Sequence, residues 1–415
     1  PPIAFSCGNS LALKTSFVFT ALVYCIGLIV LTYIAPRIPS GIHTINGDLT
    51  KDTWSKAPWS DEFDDIRGAT DAPPKERPPP SCSTRVKLLW DDDYLYIGAL
   101  ITSNMTVEAH FTKENSPIFQ KDSDFECFLD PVGSNWNYKE WEGNALNTVW
   151  NLMLNRPYSD GGSEHSGRVA KPGEEHYYAV KHQKTATRII EGKVNNVEGR
   201  KTVWSVEIAM AHSDVLAHVR NGMLPPSIGT MWRINFSRVE KRGDVNWTWQ
   251  AQIAWDAAGH RFGGNVNMHL PDAWGYLVFG EETIHDKQEI PRDASWPARL
   301  AAMNVYYAQQ EYKRETGVYA TEINQLTRLL NQAIVSPFQI EIQSISESSL
   351  DVQDLNAEFI VVIKGNPDGA VVTVTDKRLL QVHLSTPKYK CRCFEYLSDW
   401  FVEMLTRGGN MVRKR

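Results

Sequence analysis

The chain has no excess of basic residues: 43 Lys and Arg stand against 49 Asp and Glu, for a formal net charge of -6. That argues against general affinity for nucleic acid, because a polyanion calls for a basic footprint. Cysteine is sparse. Cys7, Cys25, Cys82, Cys127, Cys391 and Cys393 match no zinc or redox spacing, and Cys391 and Cys393 are one residue apart where a redox pair needs two. Cys82 and Cys127 remain open as a pair in an oxidising compartment. No CxxCH is present, so a haem attachment motif is missing. The acidic residues follow no EF-hand pattern. Ser163-Glu164-His165 lacks the context of a nucleophile elbow. Nothing alternates strand with helix, so a parallel sheet is not indicated.

What is present is a chain of 415 residues, long enough for two or three domains, with fourteen tryptophans and fifteen tyrosines. Flat rings with a polar edge suit strand surfaces, cores and sugar rings alike. Residues 1–15 read as an N-terminal tail. Residues 16–35, SFVFTALVYCIGLIVLTYIA, carry no charge and lie between Lys14 and Arg37. A run of about 20 apolar residues spans a bilayer as a helix. It therefore reads as a transmembrane helix or uncleaved signal-anchor, the alternative being a cleaved signal peptide and a secreted protein. Asn104, Asn235 and Asn246 each open a glycosylation acceptor triplet. Together these features place the bulk of the chain in a lumen or outside the cell, with the membrane as a partner through the N-terminal segment.

Residues 36–41 are a linker. From 42 to 280 short alternating runs follow one another: TRVKLLWDDDYLYIGALIT as a hairpin, then DFECFLDP, NYKEWEGNALN, TVWNLMLN, EEHYYAVKHQ, ATRIIEGKV, KTVWSVEIAM, GTMWRINFSRVE, NWTWQAQIAW and WGYLVFG. Strands of this length separated by turns predict a mainly β chain, an antiparallel β-sandwich of immunoglobulin or jelly-roll type. A second linker covers 281–293. Residues 294–385 read as a small α+β unit, with a helix from Ala294 to Gly317, a second short helix, and three strands whose last two are joined by the turn Asn366 to Gly369. Residues 386–415 are a basic tail.

The chemistry-bearing residues are few. Asp91, Asp92 and Asp93 sit between two strands, where a turn competes with calcium. Glu126 and Glu142 form one carboxylate pair of the kind glycoside hydrolysis requires, without a surrounding motif, and hydrolase activity in this chain is not expected. Met268 and His269 are side chains that ligate haem elsewhere.

The ordered motifs TINGDLTKDTW, TRVKLLWDDDYLYIGALI, PIFQKDSDFECFLDP, NYKEWEGNALNTVWNLMLNRPYSDGG, KTVWSVEIAM and NMHLPDAWGYLVF span about 42–280. They resemble the family 9 carbohydrate-binding modules. The resemblance implies an antiparallel sandwich and a non-catalytic role, often beside glycoside hydrolases. It also implies structural calcium, for which Asn46, Asp48, Asp122, Asp124 and Asp130 are the ligand candidates, and recognition of glucan or xylan chain ends. In the sugar-binding members two tryptophans enclose the terminal sugar; their positions fall here on Phe119 and Met268. Glu126 and Asn265 match polar positions of that site, Glu142 stands near a position where those members carry Arg, and Trp136, Trp141 and Trp274 are candidates to rebuild an aromatic platform. The expectation is carbohydrate binding by Phe119, Glu126, Trp136, Asn265 and Met268, with possible calcium and no haem. The alternatives are a structural or protein-interaction sandwich that has lost the sugar, and a haem-binding electron-transfer relative.

Overall fold

Alternation of apolar and polar side chains builds two facing sheets in a computed structural model that describes residues 29–384, except 120, 197, 199–200, 241–242, 284–289, 345–353 and 355. The strands are β1 (Thr32–Ala35), β2 (Asp64–Asp65), β3 (Ser83–Trp90), β4 (Tyr94–Ser103), β5 (Asp124–Asp130), β6 (Tyr138–Asn144), β7 (Val149–Leu154), β8 (Glu164–His165), β9 (Lys184–Glu191) and β10 (Thr202–Ala211). They continue as β11 (Met231–Glu240), β12 (Val245–Thr248), β13 (Ile253–Asp256), β14 (Arg261–Gly264) and β15 (Gly275–Phe279). One sheet runs β1-β15-β11-β5-β6-β7-β8, with β12 and β2 continuing from β11. The other runs β3-β4-β10-β9. Val86, Leu88, Ile97 and Ile208 from the second sheet meet Phe125, Cys127, Trp141 and Phe236 from the first in one buried cluster. Such two-layer packing of antiparallel sheets is a β-sandwich.

A charged clamp crosses that core. Arg238 on β11 is fully buried against Glu240, with its Nε 2.7 Å from Glu240 Oε1. Its Nη1 donates to the Thr102 carbonyl at 2.9 Å and to Thr84 Oγ1 at 3.1 Å on the opposite sheet.

The expected hairpin is present as β3 and β4. Its turn is held by Asp91, whose Oδ1 accepts the Asp93 and Tyr94 N–H groups. Asp91–Asp93 is a turn, as the spacing allowed. Residues 174–183, expected as a strand, instead wrap as an irregular segment. The Asp214 carboxylate accepts the N–H groups of Lys181 and His182 there, at 3.0 and 2.7 Å, so those donors are unavailable to a ladder.

One membrane-related expectation changes. Residues 16–28 lie outside the described residues, but Thr32–Ala35 are not helical. They form β1, which pairs parallel with β15 from Thr32–Tyr276 to Ala35–Phe279. Tyr33 is buried and donates its hydroxyl to the Pro58 carbonyl at 2.6 Å. A helix running to Ala35 is thus excluded, because these four residues give their backbone groups to the sheet. Among the described residues no helix is long and apolar enough to cross a membrane. The same pairing makes β1 a parallel edge on an otherwise antiparallel sheet.

Beyond β15, helix α1 (Trp296–Thr316) begins with Pro297 in its first turn. It ends at Gly317, whose φ of 85° suits a residue without Cβ. The predicted helix limits hold. Ala298, Ala301, Ala302 and Val305 pack on a four-stranded antiparallel sheet of β16 (Gln339–Gln343), β17 (Ile360–Lys364), β18 (Val371–Thr375) and β19 (Leu380–His383). The sequence predicted three strands here. The run AVVTVTDKRLLQVHL splits because Arg378 adopts a left-handed φ of 63° and turns the chain between β18 and β19.

Arg378 also locks this unit to the sandwich. Its Nε lies 2.8 Å from Asp160 and its Nη1 3.0 Å from Asp272. The guanidinium rests over the Tyr306 ring, 4.7 Å from its centroid.

Candidate functional site

β5, β6 and β7 are buried on both faces. Their inner face is the sandwich core. Their outer face is covered by loops, and there the candidate residues meet. Successive side chains on a strand alternate in direction, so Asp124, Glu126 and Phe128 share the outer face of β5, and Asn144, Glu142 and Glu140 that of β6. The register pairs Asp124 with Asn144, Glu126 with Glu142 and Phe128 with Glu140. On β7, Trp150 faces Glu142 and Leu152 faces Glu140.

Two loops close over this surface. Ile118 comes from one and Met268 and Trp274 from the other, and all three pack with Ile66, Phe128, Tyr138, Trp150 and Leu152. Phe119 follows Ile118 and stays 38% exposed, with its ring outside that cluster. Its backbone N–H donates to Glu142 Oε2 at 3.2 Å. Met268 is buried and its carbonyl accepts the Trp274 indole N–H at 2.9 Å. Asn265 is exposed, and its N–H is held by the Gln252 carbonyl at 2.8 Å. The structure therefore gathers Phe119, Glu126 and Met268 around one outer face. Only Phe119 among them presents a ring to solvent, and there is no paired clamp.

Trp136 lies elsewhere. It follows Asp130 in the turn beyond the far end of β5, and its indole N–H donates to the Lys377 carbonyl at 2.8 Å. Trp141 and Trp274 are both fully buried, so neither offers a platform. Of the acceptor triplets, Asn104 is exposed, whereas Asn235 is enclosed and spends its amide on the Gln250 carbonyl at 2.8 Å. Asn235 is excluded as a glycan site in the folded chain because no space surrounds its nitrogen. Asn246 is half-buried and its Oδ1 accepts from Ser237 at 3.2 Å. Cys82 and Cys127 are both free buried thiols, not a disulfide.

The electrostatics of the outer face are one-sided. Burial pushes the Glu126 carboxyl up to about 7, against a smaller opposing effect from the Ser237 hydroxyl. Burial first, then neighbouring carboxylates, raise Asp124, Glu140 and Glu142 well above the usual range. Glu126 and Glu142 are each only 2% exposed beneath the loops, so this pair does not stand open to a substrate as a glycosidase pair must. Residue-by-residue reading singled out Glu126 and Glu142 but missed Glu140. The signal was present as Asp124-x-Glu126 and Glu140-x-Glu142, two period-2 acidic pairs on neighbouring strands.

Of the five expected calcium ligands only Asp124 joins a cluster of acids, with Glu126 and Glu142, and the other four do not assemble. Asn46 and Asp48 lie in the loop before residues 52–56. There the Lys51 ammonium sits 2.9 Å from Asn46 Oδ1, 2.5 Å from the Thr44 carbonyl and 2.5 Å from Glu207 Oε1. A protein cation already fills that cradle, and the residues do not fit a metal ion beside it. Glu207 is further bound by His43 and by the Trp54 indole at 2.8 Å. Trp54 reaches it across Gly98, where a Cβ would come within 3.1 Å of the indole. Asp122 is saturated by the His110 and Phe111 N–H groups and by the Asn144 amide. Asp130 accepts the Ser134 and Asn135 N–H groups in the β5–β6 turn. For the haem reading, His269 Nδ1 is 2.9 Å from the Tyr138 hydroxyl, and burial holds its imidazole down to about 4. Met268 is committed to the apolar cluster.

The architecture is a two-layer β-sandwich whose one outer face gathers polar side chains under loops. Residues 45–263 match the family described as carbohydrate family 9 binding domain-like, and the chain belongs to that family. No curated protein matches it. Solved structures similar to it include a family 9 carbohydrate-binding module from Caldicellulosiruptor kristjanssonii in complex with cellotriose, at 15% identity over 63% of this chain and 100% of that chain, with a TM-score of 0.34. The same module in complex with glucose gives the same values. A putative carbohydrate-binding protein from Bacteroides uniformis ATCC 8492 matches at 11% identity over 60% of this chain and 100% of that chain, with a TM-score of 0.42.

Proposed function

We propose that the chain is a non-catalytic carbohydrate-binding protein that engages a glucan or xylan chain end at the outer face of β5 and β6. Membership of the family carries the general reading, and the exposed Phe119 ring carries its placement. A pyranose has an apolar face of C–H groups, which stacks on an aromatic ring. Asn265, which is exposed, supplies a polar partner for a sugar hydroxyl, whereas Glu126 is buried beneath the loops and does not reach it. A single ring with few polar contacts gives weak binding, since each contributes on the order of 1 kcal/mol net. Because Met268 is buried, the sugar is held on one side instead of being enclosed between two rings.

The site is reached from outside the cytosol in this reading. The N-terminal apolar segment directs the chain to a membrane or through it, and Asn104 is the exposed position for a glycan. The test is titration of the full chain with cello- and xylo-oligosaccharides, followed by tryptophan fluorescence and calorimetry. Saturable binding that Phe119→Ala weakens roughly 5-fold to 10-fold supports the proposal. Equal binding by wild type and Phe119→Ala would place the sugar elsewhere, and no binding to a glucan or xylan panel would leave a structural sandwich.

A further inference from the structure

The outer face of β5 and β6 holds more negative charge than a sugar site requires. Asp124, Glu126, Glu140 and Glu142 are each at most 6% exposed. One carboxylate oxygen from each of Asp124, Glu126 and Glu142 lies within 4.8 Å of the others. Glu140 lies two residues from Glu142 along β6 on the same face, its Oε2 has no hydrogen-bond partner, and Asp124 Oδ2 has none either. Among the described residues none of the four makes a salt bridge, and the charged neighbours that act on them most are other carboxylates. Buried acids are otherwise found paired, because an ionised carboxylate without a counter-charge is costly away from water. The Lys51 cradle shows the ordinary solution within the same fold, and this face lacks it.

We infer that Asp124, Glu126 and Glu142 form a binding site for one divalent cation of the calcium class, with Glu140 as a fourth acid beside them. Oxygen donors alone select hard cations and disfavour copper or zinc. The enclosure of the cluster favours the larger ion. One oxygen from each acid lies within 4.8 Å of the others, so a single cation can touch all three, and calcium accepts such oxygens at about 2.3–2.6 Å in flexible geometry. Magnesium requires about 2.0–2.1 Å and retains several waters, which suits a buried cluster poorly. The cation neutralises the acids that burial alone would keep protonated. It also touches the sugar site indirectly, since Glu142 holds the Phe119 backbone N–H. The cation site does not depend on the sugar reading and is assayed without sugar.

The experiment uses the full chain, stripped of metal with chelator and titrated with terbium at neutral pH. Trp150 faces Glu142 across the β6–β7 pair and would sensitise terbium luminescence. The expected result is saturable luminescence of one equivalent that calcium displaces. Glu126→Gln with Glu142→Gln keeps the side-chain shape, and weakens terbium binding on the order of 100-fold by removing ligand charge. Asp48→Asn, in the Lys51 cradle, leaves it unchanged. Near-ultraviolet circular dichroism establishes that each variant is folded. If the double variant does not fold, Glu126→Gln alone is compared with wild type for the calcium-induced rise in melting temperature; the rise should be lost. The inference is overturned by folded wild type that shows no calcium-displaceable terbium signal, or by undiminished binding in folded Glu126→Gln variants.

Discussion

Arg378 donates from Nε to Asp160 Oδ2 across 2.8 Å, joining residues 218 positions apart. Asp160 lies in the turn after β7, and Arg378 in the turn before β19. Both side chains are only 4% exposed. A buried charge stays favourable only while its partners remain, and Arg378 has Asp160, Asp272 and two tyrosines. Replacing it with alanine strands both aspartates. Arg378→Ala should therefore destabilise the chain by about 3–5 kcal/mol, measured by urea denaturation with the tryptophan signal. A loss below about 1 kcal/mol would mean that the joint is solvated and the two parts are independent.

Metal-free protein should lose stability as the pH rises. Glu126 titrates at about 7 in the folded chain against an ordinary 4.5, and Asp124, Glu140 and Glu142 are raised in the same direction. The folded state thus holds more protons than the unfolded state between these limits, so stability falls with increasing pH. The contribution is complete below 4.5 and is lost as pH passes through about 7. Melting temperatures taken with chelator across this range should decline, and calcium should flatten the decline.

Glu207 behaves in the opposite sense. Burial raises its pKa, but hydrogen bonds from His43, Lys51, the Asn46 N–H and the Trp54 indole outweigh that and bring it down to about 2. The stability it contributes is present above 4.5 and is lost as pH falls from 4.5 toward 2. In Glu207→Gln the acid-side loss between these values should shrink. An unchanged acid limb in the variant would assign that limb to other carboxylates.

Phe119→Ala should weaken oligosaccharide binding roughly 5-fold to 10-fold, on the order of 1 kcal/mol for one stacked ring. Its effect on stability should be within about 0.5 kcal/mol, because the ring lies outside the apolar cluster of that face. Calorimetry and thermal unfolding on the same preparations separate the two effects. A large stability loss with unchanged affinity would make Phe119 a packing residue.

The strand pattern of the sandwich was legible because period-2 alternation reports directly which side of a pleated strand meets the core. β3, β4, β10 and β11 follow it. Residues 174–183 also carry the pattern but are not a strand, since Asp214 takes their backbone donors. The apolar run ending at Ala35 reads equally well as a membrane helix or as a buried strand. Hydrophobicity does not distinguish lipid from protein interior, and pairing with β15 decides it for Thr32–Ala35.

Alternation, turn residues and helix limits were determined by the sequence alone, since each depends on neighbours a few positions away. So was the family, through the order of its motifs. What only the tertiary structure decided is which side chains share an environment. It sent Trp136 to the joint with Lys377, gave the Asn46 cradle to Lys51, and stacked two acidic pairs from separate strands into one buried cluster. The physical reason is that burial and charge coupling depend on distance in space, and strand register sets that distance.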